Sequence, residues 1–177
     1  MNPDILPIAA RIRMLVIDVD GVLTDGGLYY DDKGRITKRF NVQDGLGIKL
    51  AQAAGLQLAV MTGLSSPAVQ ARISELGITR YYHGFKNKVP IIEKMARDEG
   101  ISLKEMAYIG DDWVDAGPLL RVGLPMTVPN AQPEIKQIAG WISQSPGGHG
   151  AVREAIVLIL RAQGRLEKQW EKWKSPQ

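Results

Sequence analysis

The chain has 177 residues, 45% of them hydrophobic and 23% charged, which suits one soluble domain with a sizeable core and excludes a disordered or fibrous chain. The formal charge of +3 is small and traceable to the tail, where Arg161, Arg165, Lys168, Lys172 and Lys174 outnumber Glu167 and Glu171, so it compels no nucleic-acid partner. Cysteine is absent, which excludes disulfide and thiolate chemistry. The longest aliphatic run, Ala155 to Leu160, falls far short of the roughly 20 residues that span a bilayer.

In chain order, the N-terminus has early charge and two prolines where a signal sequence would be apolar, and the expectation is a cytoplasmic protein with no membrane partner. Met14 to Asp18 (MLVID) is a short apolar run ending in an acidic, glycine-containing turn, the pattern of a strand buried on both faces of a parallel sheet. Thr24 to Phe40 reads as a β-hairpin turning at Asp-Asp-Lys-Gly. Gly45 to Ala54 is helical, Leu56 to Thr62 a second strand, and Pro67 to Leu76 a helix opened by Ser65 and Ser66 and closed by Gly77.

Val89 to Glu99 is a third helix closed by Gly100, Ala107 to Asp111 a third strand, and Gly123 to Val128 a weaker fourth. From Ala151 to about Lys174 the period is helical, with Val152, Ala155, Ile156, Ile159 and Leu160 on one face until Gly164, beyond which a loose end is expected. Strands alternating with helices predict one α/β domain over residues 1–177, a Rossmann-like three-layer sandwich with a parallel central sheet, plus the hairpin.

The polar residues of interest fall at the carboxyl ends of the strands, where an open parallel sheet binds its ligands. Asp18 and Asp20 close the first strand in DVDGVLT, and a spacing of two on extended chain points both carboxylates to one side. Thr62 ends the second strand, Lys88 follows a short YYHGFKNK stretch, and Asp111, Asp112 and Asp115 lie in GDDWVD. Magnesium prefers carboxylate oxygens with water and phosphate, and Asp18 and Asp111 offer them. A lysine and a hydroxyl can hold phosphate oxygens while Asp18 attacks phosphorus and Asp20 moves the proton. Singly, each has a plainer reading: a surface turn, a strand-end hydroxyl, a solvated helix start, an N-cap. Together and in order they point to phosphoryl transfer.

These residues resemble the four motifs of the haloacid dehalogenase superfamily. The resemblance implies Asp18 as nucleophile, Asp20 as acid/base, Thr62 and Lys88 as further catalytic groups, and magnesium held by Asp18, the backbone carbonyl of Asp20 and Asp111, with Asp115 and Asp112 in support. Too few residues separate Asp20 from Thr62 for a cap domain. The hairpin and the stretches FNVQDGLGIK, AYIGDD and GGHGAVRE resemble the capless branch that dephosphorylates 3-deoxy-D-manno-octulosonate 8-phosphate in lipopolysaccharide precursor synthesis.

That branch implies a homotetramer with hairpins at its centre and a neighbour's tail closing the site. It also implies sugar-acid contacts from Asp20, Asn41, Val42, Gln43, Asp44, Gly45, Lys49, Gly63, Arg72 and Lys88. Leu64 and Lys49 stand where the family usually has arginine, and His149 interrupts a Gly-Gly-Arg-Gly pattern. Lysine and leucine cannot reproduce arginine's bidentate fork, so a nine-carbon sugar-acid phosphate is an alternative substrate. A receiver-like phospho-binding module and a noncatalytic scaffold are alternatives of other classes. His83 reads as a loop or edge residue, the turn at His149 as a candidate anion site before the last helix, and Trp170 and Trp173 as a subunit contact in preference to a membrane one.

Overall fold

The computed structural model describes residues 5–175. Six parallel strands form one sheet in the order β5 (Arg80–His83), β4 (Gln57–Thr62), β1 (Met14–Ile17), β6 (Met106–Ile109), β7 (Leu124–Thr127) and β8 (Trp141–Ile142), and a separate antiparallel pair, β2 (Tyr29–Tyr30) with β3 (Ile36–Thr37), forms the hairpin. The four apolar runs become β1 (Met14–Ile17), β4 (Gln57–Thr62), β6 (Met106–Ile109) and β7 (Leu124–Thr127). Met14 to Ile17 are all fully buried, as strands covered by helices on both faces must be. In register, β1 pairs Ile17 with Val60 of β4 and with Ile109 of β6. The carboxyl ends of these three strands therefore stop at one level, and the turns carrying Asp18, Thr62 and Asp111 emerge side by side.

Two edge strands escaped the sequence reading: β5 (Arg80–His83) and β8 (Trp141–Ile142). Both are polar or very short, without the apolar run that marks a central strand. His83 lies at the exposed end of β5. The short helices α1 (Ile5–Ala9), α5 (Ala116–Leu119) and α6 (Pro133–Ile138) were also unmarked, being too brief to show a helical period.

The longer helices match with shifted ends. α2 runs Val42–Ala53 and starts three residues before Gly45 because Asn41 caps it, its side chain accepting from the Gln43 amide at 2.7 Å. α3 is Pro67–Leu76 and ends on Gly77 in the left-handed conformation, but Ser66 makes no side-chain cap and Pro67 opens the first turn instead. α4 is Val89–Asp98. α7 (Ala151–Ala162) buries the predicted apolar face against the core, packing on α2 and α1. Past Gly164 the expected loose end is instead a helix, α8 (Leu166–Lys174), resting on α7 with Gln169 buried.

Candidate active site

The turn after β1 is built to hold Asp18. Thr24 ties residues 18–26 together: its hydroxyl donates to the Val19 carbonyl and accepts from the Gly21 and Gly26 amides, each at 3.3 Å. Gly21 has φ +81°, and a Cβ there would stand 2.0 Å from Asp111 Oδ2, so only glycine lets the two acidic turns approach. Asn130 clamps this turn from outside, donating to the Gly21 carbonyl at 2.9 Å and accepting from the Gly147 amide at 2.8 Å. A Cβ on Gly147 would lie 1.7 Å from the Gly21 carbonyl, which explains the glycines that precede His149.

At the centre Lys88, 1% exposed, donates to Asp18 Oδ1 at 2.5 Å and to Asp115 Oδ1 at 2.6 Å. Tyr108, fully buried in β6, donates its phenol to Asp115 at 2.6 Å and lies 3.1 Å from the Lys88 ammonium. The other oxygen of Asp115 accepts the amides of Asp111 and Asp112 at 3.0 and 3.2 Å. Both Asp115 oxygens are thus engaged, and this side chain shapes the loop that presents Asp111. Asp112 caps the short turn 113–115 through the Trp113 amide. Tyr108 was not singled out from the sequence; a tyrosine inside an otherwise aliphatic buried strand was its one visible sign.

Crowded buried carboxylates resist ionisation. Burial, with Asp115 and Asp112 nearby, pushes Asp111 up to about 7. Burial and then the Asp115 charge raise Asp18 well above the usual carboxylate range, with Lys88 opposing. For Lys88 burial disfavours the charge, but Asp18 and Asp115 outweigh it and lift its pKa above the ordinary lysine value. Asp18, Asp111 and Asp115 each place a carboxylate oxygen within 4.8 Å of the others. Buried like charges on hard oxygen donors, with one ammonium to offset them, suit a divalent cation.

A cleft of about 560 Å³ opens over these groups, lined among others by Asp20, Thr62, Gly63, Leu64, Lys86 and Asp112. Asp18 and Asp20 both line the cleft but pair with different lysines, Asp18 with Lys88 and Asp20 with Lys38 from the hairpin. Thr62 Oγ1 accepts from the Leu64 amide at 3.3 Å.

None of Asn41, Val42, Gln43, Asp44, Gly45, Lys49 or Arg72 lines this cleft. Lys49 caps the end of α3 through the Leu76 carbonyl at 2.8 Å. Arg72 pairs with Glu75 at 2.9 Å and presses on Gly45. Asp44 is buried and accepts the Arg153 and Gly150 amides at 2.8 and 3.3 Å. The N-terminus of α7 is therefore already occupied by the chain's own Asp44 carboxyl group, and the candidate anion site beside His149 is filled from within.

A family model for haloacid dehalogenase-like hydrolases matches residues 82–156. The chain is 38% identical over 168 residues, 95% of its length and 89% of the relative's, to the 3-deoxy-D-manno-octulosonate 8-phosphate phosphatase KdsC of Escherichia coli K12. The chain belongs to this phosphatase family of haloacid dehalogenase-like hydrolases. The Yersinia pestis family member is 38% identical over 93% of the chain and 88% of its own length. A Moraxella catarrhalis phosphatase of the family, solved in complex with magnesium ion, phosphate ion and KDO molecule, superposes with TM-score 0.95 at 36% identity, covering 98% of this chain and all of that one. A cobalt-bound Haemophilus influenzae member gives TM-score 0.87 at 36% identity, over 93% of this chain and 99% of that one. Family membership sets aside the receiver and scaffold alternatives.

Proposed function

We propose that the chain hydrolyses 3-deoxy-D-manno-octulosonate 8-phosphate to the free sugar acid and phosphate, in lipopolysaccharide precursor synthesis, through an aspartyl phosphate on Asp18. The observation that carries this reading is the sealed Lys88 ammonium between Asp18 and Asp115, beneath a cleft that Asp20, Thr62 and Asp111 also line.

Asp18 forms a bond to phosphorus as the phosphorus–oxygen bond to the sugar breaks, and Asp20 gives its proton to the departing oxygen. Asp20 then takes a proton from the water whose oxygen attacks phosphorus, freeing Asp18 and inorganic phosphate. Lys88, Thr62 and Gly63 are assigned to the phosphoryl oxygens. Asp18 and Asp111 would hold magnesium with their carboxylates. One oxygen of the Asp20 side chain pairs with Lys38, and this residue would contribute its backbone carbonyl to the metal, with Asp115 and Asp112 supporting the loop. Bound there, magnesium neutralises charge between an anionic nucleophile and an anionic substrate.

The assembly belongs to the same reading: a homotetramer with the hairpins inward, supported by the exposed apolar side chains Leu28, Tyr29, Tyr30 and Ile36, which are 40 to 63% accessible. Asn41, Val42, Gln43, Lys49 and Arg72 would then serve a neighbour's cleft, whereas Asp44 and Gly45 are buried within the fold. Trp170 and Trp173, both more than half exposed beside an apolar groove, are assigned to subunit contact. A phosphorylated sugar acid as substrate supports a cytoplasmic site of action, and among the described residues no helix is long and apolar enough to cross a membrane.

The test is phosphate release, with magnesium or with chelator, from the eight-carbon and nine-carbon sugar-acid phosphates and an aryl phosphate. Magnesium-dependent preference for the eight-carbon ester supports the proposal. Preference for the nine-carbon ester, or turnover of the aryl ester alone, overturns the substrate.

A further inference from the structure

Lys38 is the one buried residue in the hairpin segment 31–40, where residues 33–37 are all exposed. Its side chain is 2% accessible and its ammonium makes an ion pair with Asp20 Oδ1, while Asp20 itself remains 31% accessible and lines the cleft. Burying an ammonium away from water is costly without a partner, and Asp20 is the carboxylate that meets it here. The geometry at the hairpin's base is pinned, since Thr24 bridges to Phe40 and the Thr24 hydroxyl ties down the turn that carries Asp20. The arm that returns from the hairpin thus delivers one cation to one oxygen of Asp20, a residue that lines the cleft.

We propose that Lys38 is a positioning residue for proton transfer: it fixes the Asp20 carboxylate so that its free oxygen faces the leaving-group oxygen of the substrate. This rests on the phosphatase reading above and adds a second task to the hairpin. A carboxylate without this anchor can rotate about its side-chain bonds, and a proton donor out of line loses most of its advantage. In the first half-reaction the proton passes from Asp20 to the sugar oxygen as the phosphorus–oxygen bond breaks, and Lys38 faces the carboxylate that remains. Lys38 itself is not among the residues that line the cleft.

Leaving-group dependence separates this role from a merely structural one. An aliphatic alcohol needs its proton as the bond breaks, whereas p-nitrophenolate departs without one. For Lys38→Met, rapid-quench measurement of the first turnover is expected to show a loss on the order of 100-fold with the sugar-acid phosphate and less than about threefold with p-nitrophenyl phosphate. Magnesium affinity, read by the rise in melting temperature on adding the metal, is expected to stay within about threefold of wild type. Lys38→Gln, which keeps a donor and buries no charge, is the second variant should Lys38→Met fail to fold, and is expected to show the same selectivity with a smaller loss. Equal losses on both esters, or no loss on either, would overturn the positioning role. Failure of the unaltered protein to hydrolyse either ester would instead overturn the phosphatase reading.

Discussion

Lys88 and Asp115 meet at 2.6 Å with 1% and 0% of their side chains exposed, so an ion pair sits at the bottom of the cleft where water cannot replace either partner. Removing one member of such a pair leaves a buried charge uncompensated, typically at a cost of about 3–5 kcal/mol. Asp115→Ala also frees the Tyr108 phenol and the Asp111 and Asp112 amides. Chemical denaturation of Asp115→Ala is expected to show a loss of that size, and a change under about 1 kcal/mol would mean that the pair does not organise the site.

Asp18→Asn removes the proposed nucleophile without altering side-chain volume. Turnover is expected to vanish while the melting profile stays cooperative, and a variant retaining near-normal rates would defeat the aspartyl-phosphate assignment. Asp20→Asn is expected to lose about 100-fold or more in rate yet still bind magnesium. Complete loss of metal affinity in that variant would show that its side chain, and not its backbone, holds the ion.

Asp111 sits at about 7 instead of its ordinary 3.8, and the sign of its effect on stability follows. The metal-free fold binds this proton more tightly than the unfolded chain, so the contribution is fully present below pH 3.8 and is lost as pH rises through 7. Asp18, also raised by burial, acts in the same direction. The metal-free protein is therefore expected to melt higher at pH 6 than at pH 8 as far as these groups decide it. Magnesium, which needs the ionised carboxylate, is expected to stabilise more at pH 8 than at pH 6. Asp111→Asn is expected to raise the metal-free melting temperature, by roughly 2–4 °C per kcal/mol relieved, and to abolish most of the magnesium increment. Scanning calorimetry at the two pH values, with magnesium and with chelator, checks all three expectations.

Asp44 crosses from α2 to accept the Gly150 and Arg153 amides at the start of α7, satisfying donors that a helix N-terminus leaves unpaired. Asp44→Ala is expected to cost about 1–2 kcal/mol in urea denaturation. An unchanged midpoint would show that the two amides find other partners.

Lys86 lines the cleft and has no ion-pair partner among the described residues, whereas Lys88 pairs with Asp18 and Asp115. Lys86→Ala is expected to raise KM severalfold for an anionic sugar-acid ester and to leave kcat nearly unchanged. A fall in kcat with KM constant would place Lys86 at the transferring phosphoryl group instead.

Much was legible from the chain because strand burial and strand-end chemistry are local. MLVID, LQLAVMT and AYIGD announce central parallel strands by short, mostly apolar runs, and each ends where an acidic or hydroxyl residue would be wasteful unless a site lay there. Asp18, Thr62, Lys88 and Asp111 could therefore be gathered on one edge before any coordinate was known. The sequence by itself determined the sheet, the order of the motifs and the chemical types that meet.

Tertiary structure decided the partnerships, because they join residues far apart in the chain whose contacts leave no periodic mark. Lys38 lies 18 residues from Asp20, Lys88 lies 27 residues from Asp115, and Asp44 reaches an amide 109 residues away. Packing also gave Asp18 and Asp20, which line the same cleft, different lysine partners. It turned Lys49 and Asp44 to helix ends, where the last carbonyls of α3 need a donor and the first amides of α7 an acceptor. Which carboxylate is free for chemistry and which is consumed in holding the fold depends on what stands within 3 Å of its oxygens, and only the folded chain sets that distance.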